Sequence, residues 1–392
     1  MVILLSALLL SCKSSNEMDA IVVKGLKRAQ QQSLLMARDL SNEPDSMPRS
    51  MDKNGRLIKS DTHWWCSGFF PGVLWQLYNY NNNDEFRKYA TEYTDRLTSQ
   101  QYTTDNHDIG FILMCSFGNG YQLTHTPQYA NVLLQGAKSL ATRFNPRVGL
   151  IRSWDHSQKK WKYPVIIDNM MNLELLEWAS HHSGSKQFDQ IARSHAMKTM
   201  INHFRNDGSS YHVVSYDPET GKVEKRDTHQ GYSANSAWAR GQAWGIYGYT
   251  MMYRETNDST FLHHAIRIAR FILNHPHLPV DGVPYWDFDD PKIPNVPRDA
   301  SAAAIMASAF IELSGLCLEK TLKDSCLSMA QKQIRTLTSN KYLAKKGTNA
   351  HFILKHSVGN LPNNVEVDAP LTYADYYYVE ALIRLYKMKN IR

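Results

Sequence analysis

Two aspartates in this chain stand just before apolar runs, Asp108 in His107-Asp108-Ile109-Gly110-Phe111 and Asp168 in Ile167-Asp168-Asn169-Met170-Met171. An aspartate at a helix start usually keeps its charge, because free amides and the helix dipole favour the anion. Acid duty near neutral pH therefore needs something opposed to the cap, either poor hydration or a second carboxylate close by. Trp64-Trp65, His229-Gln230-Gly231, Pro297-Arg298-Asp299, Asp368 and Tyr373 occupy similar positions, with His212, Arg240 and Trp244 in neighbouring segments. Rings stack on the faces of a sugar, Gln offers donor and acceptor to vicinal hydroxyls, and Arg can grip a carboxylate through two parallel hydrogen bonds. Convergence of these residues suits a sugar site. Each also has a plainer reading: a helix cap for either aspartate, a structural histidine for His212, barrel packing for the tryptophans.

For these residues to meet, the starts of several helices must share one place. Apolar periodicity resolves helical segments starting near 19, 67, 85, 108, 128, 168, 187, 234, 259, 299, 321 and 370. Strand-like alternation is short and local, as in Tyr211-His212-Val213-Val214-Ser215-Tyr216. Thr126-Pro127 and Asn83-Asp84-Glu85 supply capping acceptors, a proline for the first helical position and negative charge near exposed amides. The segments near 85, 128, 187, 259 and 321 are amphipathic, whereas those near 67, 108, 168, 234, 299 and 370 are rich in aromatic residues, Gly and Ala. Helices apolar on most sides must be buried, and small residues let backbones approach. Starts of this interior set fall 41, 60, 66, 65 and 71 residues apart, an irregular six-fold repeat of a helical hairpin. The expectation is an all-α chain folded as an (α/α)6 barrel, its inner helices parallel so that their leading loops share one mouth.

The 392 residues carry 44 Lys and Arg against 37 Asp and Glu, a formal charge of +7, with 43% apolar and 11% aromatic residues. This composition supports a large core and excludes disorder and collagen-like repetition. No block of consecutive basic residues stands out, so nucleic acid is not an expected partner, although an acidic small substrate is electrostatically welcome. Met1 to Leu10 is apolar but too short to span a bilayer, and Leu9-Leu10-Ser11-Cys12 leads into a polar stretch. The pattern resembles a bacterial lipoprotein signal, with Cys12 as the acylated mature N-terminus, although no Lys or Arg precedes the apolar run. On that reading residues 1–12 are the signal and 13–18 a linker, and 19–392 form one catalytic domain. The protein is then periplasmic or membrane-anchored and touches a membrane only through its lipid. Cys66, Cys115, Cys317 and Cys326 form no CxxC and do not alternate with His, so neither a zinc site nor a structural disulfide is expected.

Six stretches carry a more specific signal: Ser67-Gly68-Phe69-Phe70-Pro71-Gly72; His107 to Phe111; Ile167-Asp168-Asn169-Met170-Met171-Asn172; Thr228-His229-Gln230-Gly231-Tyr232; Ser236 to Trp244; and Tyr373-Ala374-Asp375-Tyr376-Tyr377. Together, in order along nearly the whole chain, they resemble the unsaturated glucuronyl hydrolases of glycoside hydrolase family 88. The resemblance implies an (α/α)6 barrel, no metal or other cofactor, and action on oligosaccharides bearing a 4,5-unsaturated uronic acid left by polysaccharide lyases. It makes Asp168 the proton donor and Asp108 its support and a holder of sugar hydroxyls. It also makes His212 a sugar contact, beside the expected binding set of His229, Gln230, Arg240, Trp64, Trp65 and Trp244. The chemistry implied is protonation of the enol ether at C4, addition of water at C5, and rearrangement that expels the neighbouring sugar. Three alternatives stay open at this point: an inverting glycosidase acting directly at C1, an unsaturated rhamnogalacturonyl hydrolase, and a sugar-binding lipoprotein without turnover. Glycosaminoglycan fragments such as those of heparin or chondroitin fit the first reading best.

Overall fold

The computed structural model describes the backbone of residues 2–390 and the side chains of residues 17–388. Within them lie the helices α1 (Val2–Asp39), α2 (Phe69–Asn81), α3 (Asp84–Asp95), α4 (Ile109–Leu113), α5 (Asn119–Thr124), α6 (Pro127–Ala141) and α7 (Leu173–Ser183). They continue with α8 (Lys186–Asn202), α9 (Ala239–Thr256), α10 (Ser259–Asn274), α11 (Ala300–Leu316), α12 (Lys320–Leu337) and α13 (Thr372–Asn390). A π-helical turn, Met114–Gly118, joins α4 and α5 into one rod, and a 3-10 turn, Ile167–Asn172, leads into α7.

Six rods form a closed inner ring: α2 packs on α4–α5, that rod on α7, α7 on α9, α9 on α11, α11 on α13, and α13 back on α2. Outside each lies its partner, α1 against α13, α3 against α2, α6 against α4, α8 against α7, α10 against α9 and α12 against α11. This is the (α/α)6 barrel. The two helix types differ as their sequences require. α10 buries one stripe, including Phe261, Ala265, Ile268 and Ile272, whereas α11 buries every residue from Ala300 to Ile311.

Glycines set the contact distance inside the ring. A Cβ on Gly72 would lie 2.5 Å from the Cys115 carbonyl oxygen, and one on Gly110 would lie 2.5 Å from the Asn172 Cα. The second contact jams the helix that follows Asp108 against the turn that holds Asp168, and so fixes how far apart the two acids can stand.

Short strands occupy the loops on the side where the inner helices begin: β1 (Met47–Met51), β2 (Leu57–Ser60), β3 (Phe144–Asn145), β4 (Leu150–Ile151), β5 (Pro164–Ile166), β6 (Val213–Tyr216), β7 (Val223–Asp227), β8 (Ser357–Asn360) and β9 (Val365–Ala369). They pair antiparallel as β1-β2, β3-β4, β5-β6-β7 and β8-β9. Of these only the stretch around β6 is expected, because strands of two to five residues are too short for a period to register, and all four residues of β6 are buried.

Three local expectations are corrected. Thr126 makes no cap with its hydroxyl, which pairs with Thr124 Oγ1 at 2.7 Å; Pro127 alone marks that helix start. α9 begins at Ala239 rather than near 234, since residues 233–236 close a turn in which the Ser236 amide donates to the Ser233 carbonyl. The linker proposed for 13–18 also ends too late, because Met18 is already helical and 2% exposed in the core. The signal reading of residues 1–12 lies outside the described side chains. Cys66, Cys115, Cys317 and Cys326 are buried free thiols.

Candidate active site

Strand register places the first acid. Ile166 at the end of β5 pairs with Val213 at the start of β6, and the Ile167 amide donates to the His212 carbonyl at 3.1 Å. Asp168 and His212 therefore leave the sheet side by side, with Asp168 Oδ2 3.6 Å from His212 Nε2. β7 then supplies the next strand, and the loop after it turns the amides of His229 and Gln230 onto His212 Nδ1, both at 3.1 Å. A ring nitrogen that accepts two amide protons carries none itself, so the proton of neutral His212 sits on Nε2 and faces Asp168. Burial holds His212 well below the usual imidazole range, helped by the positive charge of nearby groups, His229 first among them.

Asp108 comes from the neighbouring inner rod. It stands directly before α4, yet its side chain makes no cap bond; its own amide is capped instead by Asn106 Oδ1 at 2.9 Å. Asp168 Oδ2 likewise has no hydrogen-bond partner. Neither carboxyl is spent on capping, which removes the plainer reading of both. His107 Nε2 lies 3.4 Å from Asp108 Oδ1, while His107 Nδ1 meets Asn172 Nδ2 at 3.4 Å. Burial lowers His107 to about 3, so it too stays neutral at physiological pH.

Both acids are shifted upward. Asp168 is pushed up to about 7 by burial, against the pull of the Arg240 charge, its own amide and the Trp244 indole. Asp108 is pushed up to about 8, first by burial and then by the charge of Asp168. The expected second carboxylate is thus present, but desolvation is the main force on Asp168, and like-charge repulsion is felt at Asp108. As a coupled pair they retain protons near neutral pH.

The two acids share one cavity of about 670 Å³ with Trp64, Trp65, His229, Gln230 and Arg240. Gln230 Nε2 donates to the Gly359 carbonyl at 3.1 Å. Trp65 leans on Tyr373 with ring centres 4.8 Å apart, and Trp64 is 37% exposed at the rim. Two expectations change. Arg240 is 1% exposed and its fork is already engaged: Nη2 donates to the Gly359 carbonyl at 2.7 Å, and Nη1 to the Val358 carbonyl and, at 3.4 Å, to Asp299. Two parallel bonds from both terminal nitrogens to a uronate are therefore not available, whereas Nε has no hydrogen-bond partner; the terminal nitrogens tie the β8–β9 hairpin to the barrel. Trp244 is fully buried, edge-on to Phe111 at 5.2 Å and to Tyr377 at 5.4 Å, and does not line the cavity. It supports Asp168 from below rather than stacking on a sugar. Of the loop residues expected at the mouth, Asp299 is a buried cap whose Oδ1 accepts from the Ser301 amide, and Asp368 turns outward to His356.

Among known proteins, the profile of Glycosyl Hydrolase Family 88 matches residues 41–385. The chain belongs to glycosyl hydrolase family 88. It is 46% identical to an unsaturated glucuronyl hydrolase of Formosa agariphila over 87% of this chain and 84% of that one. A crystal structure of an unsaturated glucuronyl hydrolase specific for heparin is 47% identical and superposes with a TM-score of 0.92, covering 95% of this chain and 98% of the other. A solved variant of UGL with dGlcA-Glc-Rha-Glc superposes with a TM-score of 0.85 at 30% identity, covering 92% and 96%.

The family-88 motifs do not reach every residue of the cavity. Arg49, His63, Trp154, His156 and Glu366 also line it. Trp154 stacks on His156 with ring centres 5.0 Å apart and planes 5° apart. Arg49, Trp154 and His156 sit in hairpins and loops away from the starts of inner helices, so a search confined to helix starts passes over them; His63 and Glu366 lie beside Trp64 and Asp368 but fall outside the six stretches. A second cavity of about 790 Å³ opens at the opposite end of the ring, where Arg254 and Arg384 are already paired with Glu174, Glu312 and Glu380. Among the described residues, no three His, Cys, Asp or Glu side chains cluster as a metal set, and no helix is long and apolar enough to cross a membrane.

Proposed function

We propose that this hydrolase removes the 4,5-unsaturated uronic acid from lyase-generated glycosaminoglycan oligosaccharides by hydrating its C4=C5 bond. The carrying observation is Asp168: a carboxyl on the cavity floor, held near neutrality by burial, with one oxygen unpartnered and a fixed histidine N–H beside it. Such a group can be both a proton donor at pH 7 and, once ionised, a base. Asp168 gives its proton to C4 of the enol ether, leaving oxocarbenium character between C5 and the ring oxygen. The Asp168 carboxylate then takes a proton from water as that water bonds to C5. Ring opening of the C5 hemiketal frees the C1 hemiacetal, which expels the neighbouring sugar as an alcohol. His212 Nε2–H faces the carboxylate formed in the first step and limits the cost of that charge. Asp108, neutral to about pH 8, offers a donor and an acceptor to substrate hydroxyls. Relatives that carry the name unsaturated glucuronyl hydrolase support the reading.

Incubation with a lyase-generated disaccharide is expected to abolish the absorbance of the conjugated double bond, while the saturated glucuronide of the same sugar is left intact. Turnover of both at comparable rates would replace hydration by direct hydrolysis at C1.

We also infer, from residues 1–12 alone, an exported lipoprotein acylated at Cys12. Cys12→Ser is expected to move the protein from the membrane fraction to the soluble one. An unaltered distribution rejects the anchor.

A further inference from the structure

The cavity is graded from floor to rim. Asp168 and Arg240 lie deep, at 8% and 1% exposure, whereas Trp64 stands at the rim. If the unsaturated ring must reach Asp168, the second sugar and its substituents lie toward Trp64. That rim carries one guanidinium, Arg49 from β1, which no step of the reaction above uses. Its Cζ sits 4.0 Å over the Trp64 ring, and its Nε donates to Glu366 Oε1 of β9 at 2.5 Å. Its two terminal nitrogens make no hydrogen bond among the described residues. The arrangement is built rather than incidental. Glu366 holds a left-handed backbone, φ 54°, and its side chain lies where a Cβ on Gly359 would stand, 2.6 Å from Oε2. A ring beneath and a carboxylate behind thus lock the planar group in one orientation and leave its fork facing the cavity.

We propose that Arg49 reads a sulfate ester on the sugar next to the unsaturated uronate, with Trp64 and Glu366 as its positioning residues; this rests on the substrate class inferred above. A rigid guanidinium fork matches two sulfate oxygens and is stronger toward an anion than toward a hydroxyl. Glu366 also tempers the site, since its charge partly cancels that of Arg49 and weakens the hold on any anion. The pair therefore sets how strongly sulfated fragments are preferred over unsulfated ones.

The test is the ratio of kcat/KM for a sulfated against the matching unsulfated unsaturated disaccharide. Arg49→Ala is expected to lower that ratio about tenfold, the scale of a charge-assisted hydrogen bond. Glu366→Gln, which keeps an acceptor for Nε, is expected to raise it severalfold. For the wild type, added salt should raise KM on the sulfated substrate more than on the unsulfated one, and Arg49→Ala should remove that difference. An unchanged ratio in both variants, or equal losses on both substrates with Arg49→Ala, overturns the assignment. Turnover of both disaccharides by the wild type keeps the proposed function standing in that event, whereas turnover of neither would end the proposed function itself.

Discussion

Asp168→Asn is expected to lower kcat at least about 10³-fold, near the upper part of the range for a lost general acid, while a lyase-generated disaccharide still binds within a few fold of wild type. The amide is isosteric, so the cavity, the His212 contact and the aromatic rim persist; what disappears is the proton that Asp168 gives to C4. Single-turnover absorbance and equilibrium binding separate the two outcomes. Undiminished turnover would remove Asp168 from its role, and lost binding with normal kcat would make it a sugar holder only. The wild-type pH profile should agree, with activity falling as pH rises past about 7, where Asp168 loses its proton. Stability gives an independent check. A carboxyl whose folded pKa is raised from 3.8 to about 7 favours the fold while protonated, and that advantage is lost as pH climbs through the folded value. The asparagine variant lacks this loss, so its Tm relative to wild type should increase between pH 4 and pH 8. Asp108 should also titrate below about 8 in the variant, because the Asp168 charge is one of the two forces that raise it.

Much of this site was legible because helix periodicity and acid placement are local properties of the chain. The inner segments advertise themselves by Gly, Ala and aromatic content, as in α11, and each acid stands where an apolar run begins. Depth and pairing are not local. Nothing near Arg240 in sequence says that its fork will be taken by the Val358 and Gly359 carbonyls, more than a hundred residues away. Trp64 and Trp244 look alike as residue types, yet one stands at the rim and the other lies fully buried. Trp64 lies in the loop before α2 and Trp244 inside α9, and how deep each ends is set by packing that the residue type does not record. Arg49 and Glu366 meet only because β1 and β9 lie together, and strands this short carry no pattern that would announce it. The reason Asp168 can hold a proton was legible as two options, poor hydration or a second carboxylate; burial by the closed ring is what raises Asp168, while the carboxylate repulsion falls on Asp108.

Arg240→Met is expected to cost about 3–5 kcal/mol of stability, because it leaves the carboxylate of Asp299 buried without its cation. Asp299 is fully buried, and its Oδ1 is satisfied by the Ser301 amide at 2.9 Å and hydroxyl at 2.6 Å, so the unpaired oxygen is the one that faces Arg240. For a chain of this length the loss should appear as a Tm lower by about 5 °C, smaller per kcal/mol than in a small domain because the unfolding entropy grows with size. Adding Asp299→Asn should return part of it, since the amide needs no cation; a purely steric defect at position 240 would not respond to that second change. The same variant should also move the alkaline limb of kcat/KM to higher pH. Arg240 is the strongest of the groups that hold the Asp168 pKa down, and without it burial acts with less opposition. A limb that stays in place while Tm falls would confine Arg240 to tying the β8–β9 hairpin. A limb that moves up would assign it a second task, keeping an acid that burial weakens strong enough to release its proton to carbon.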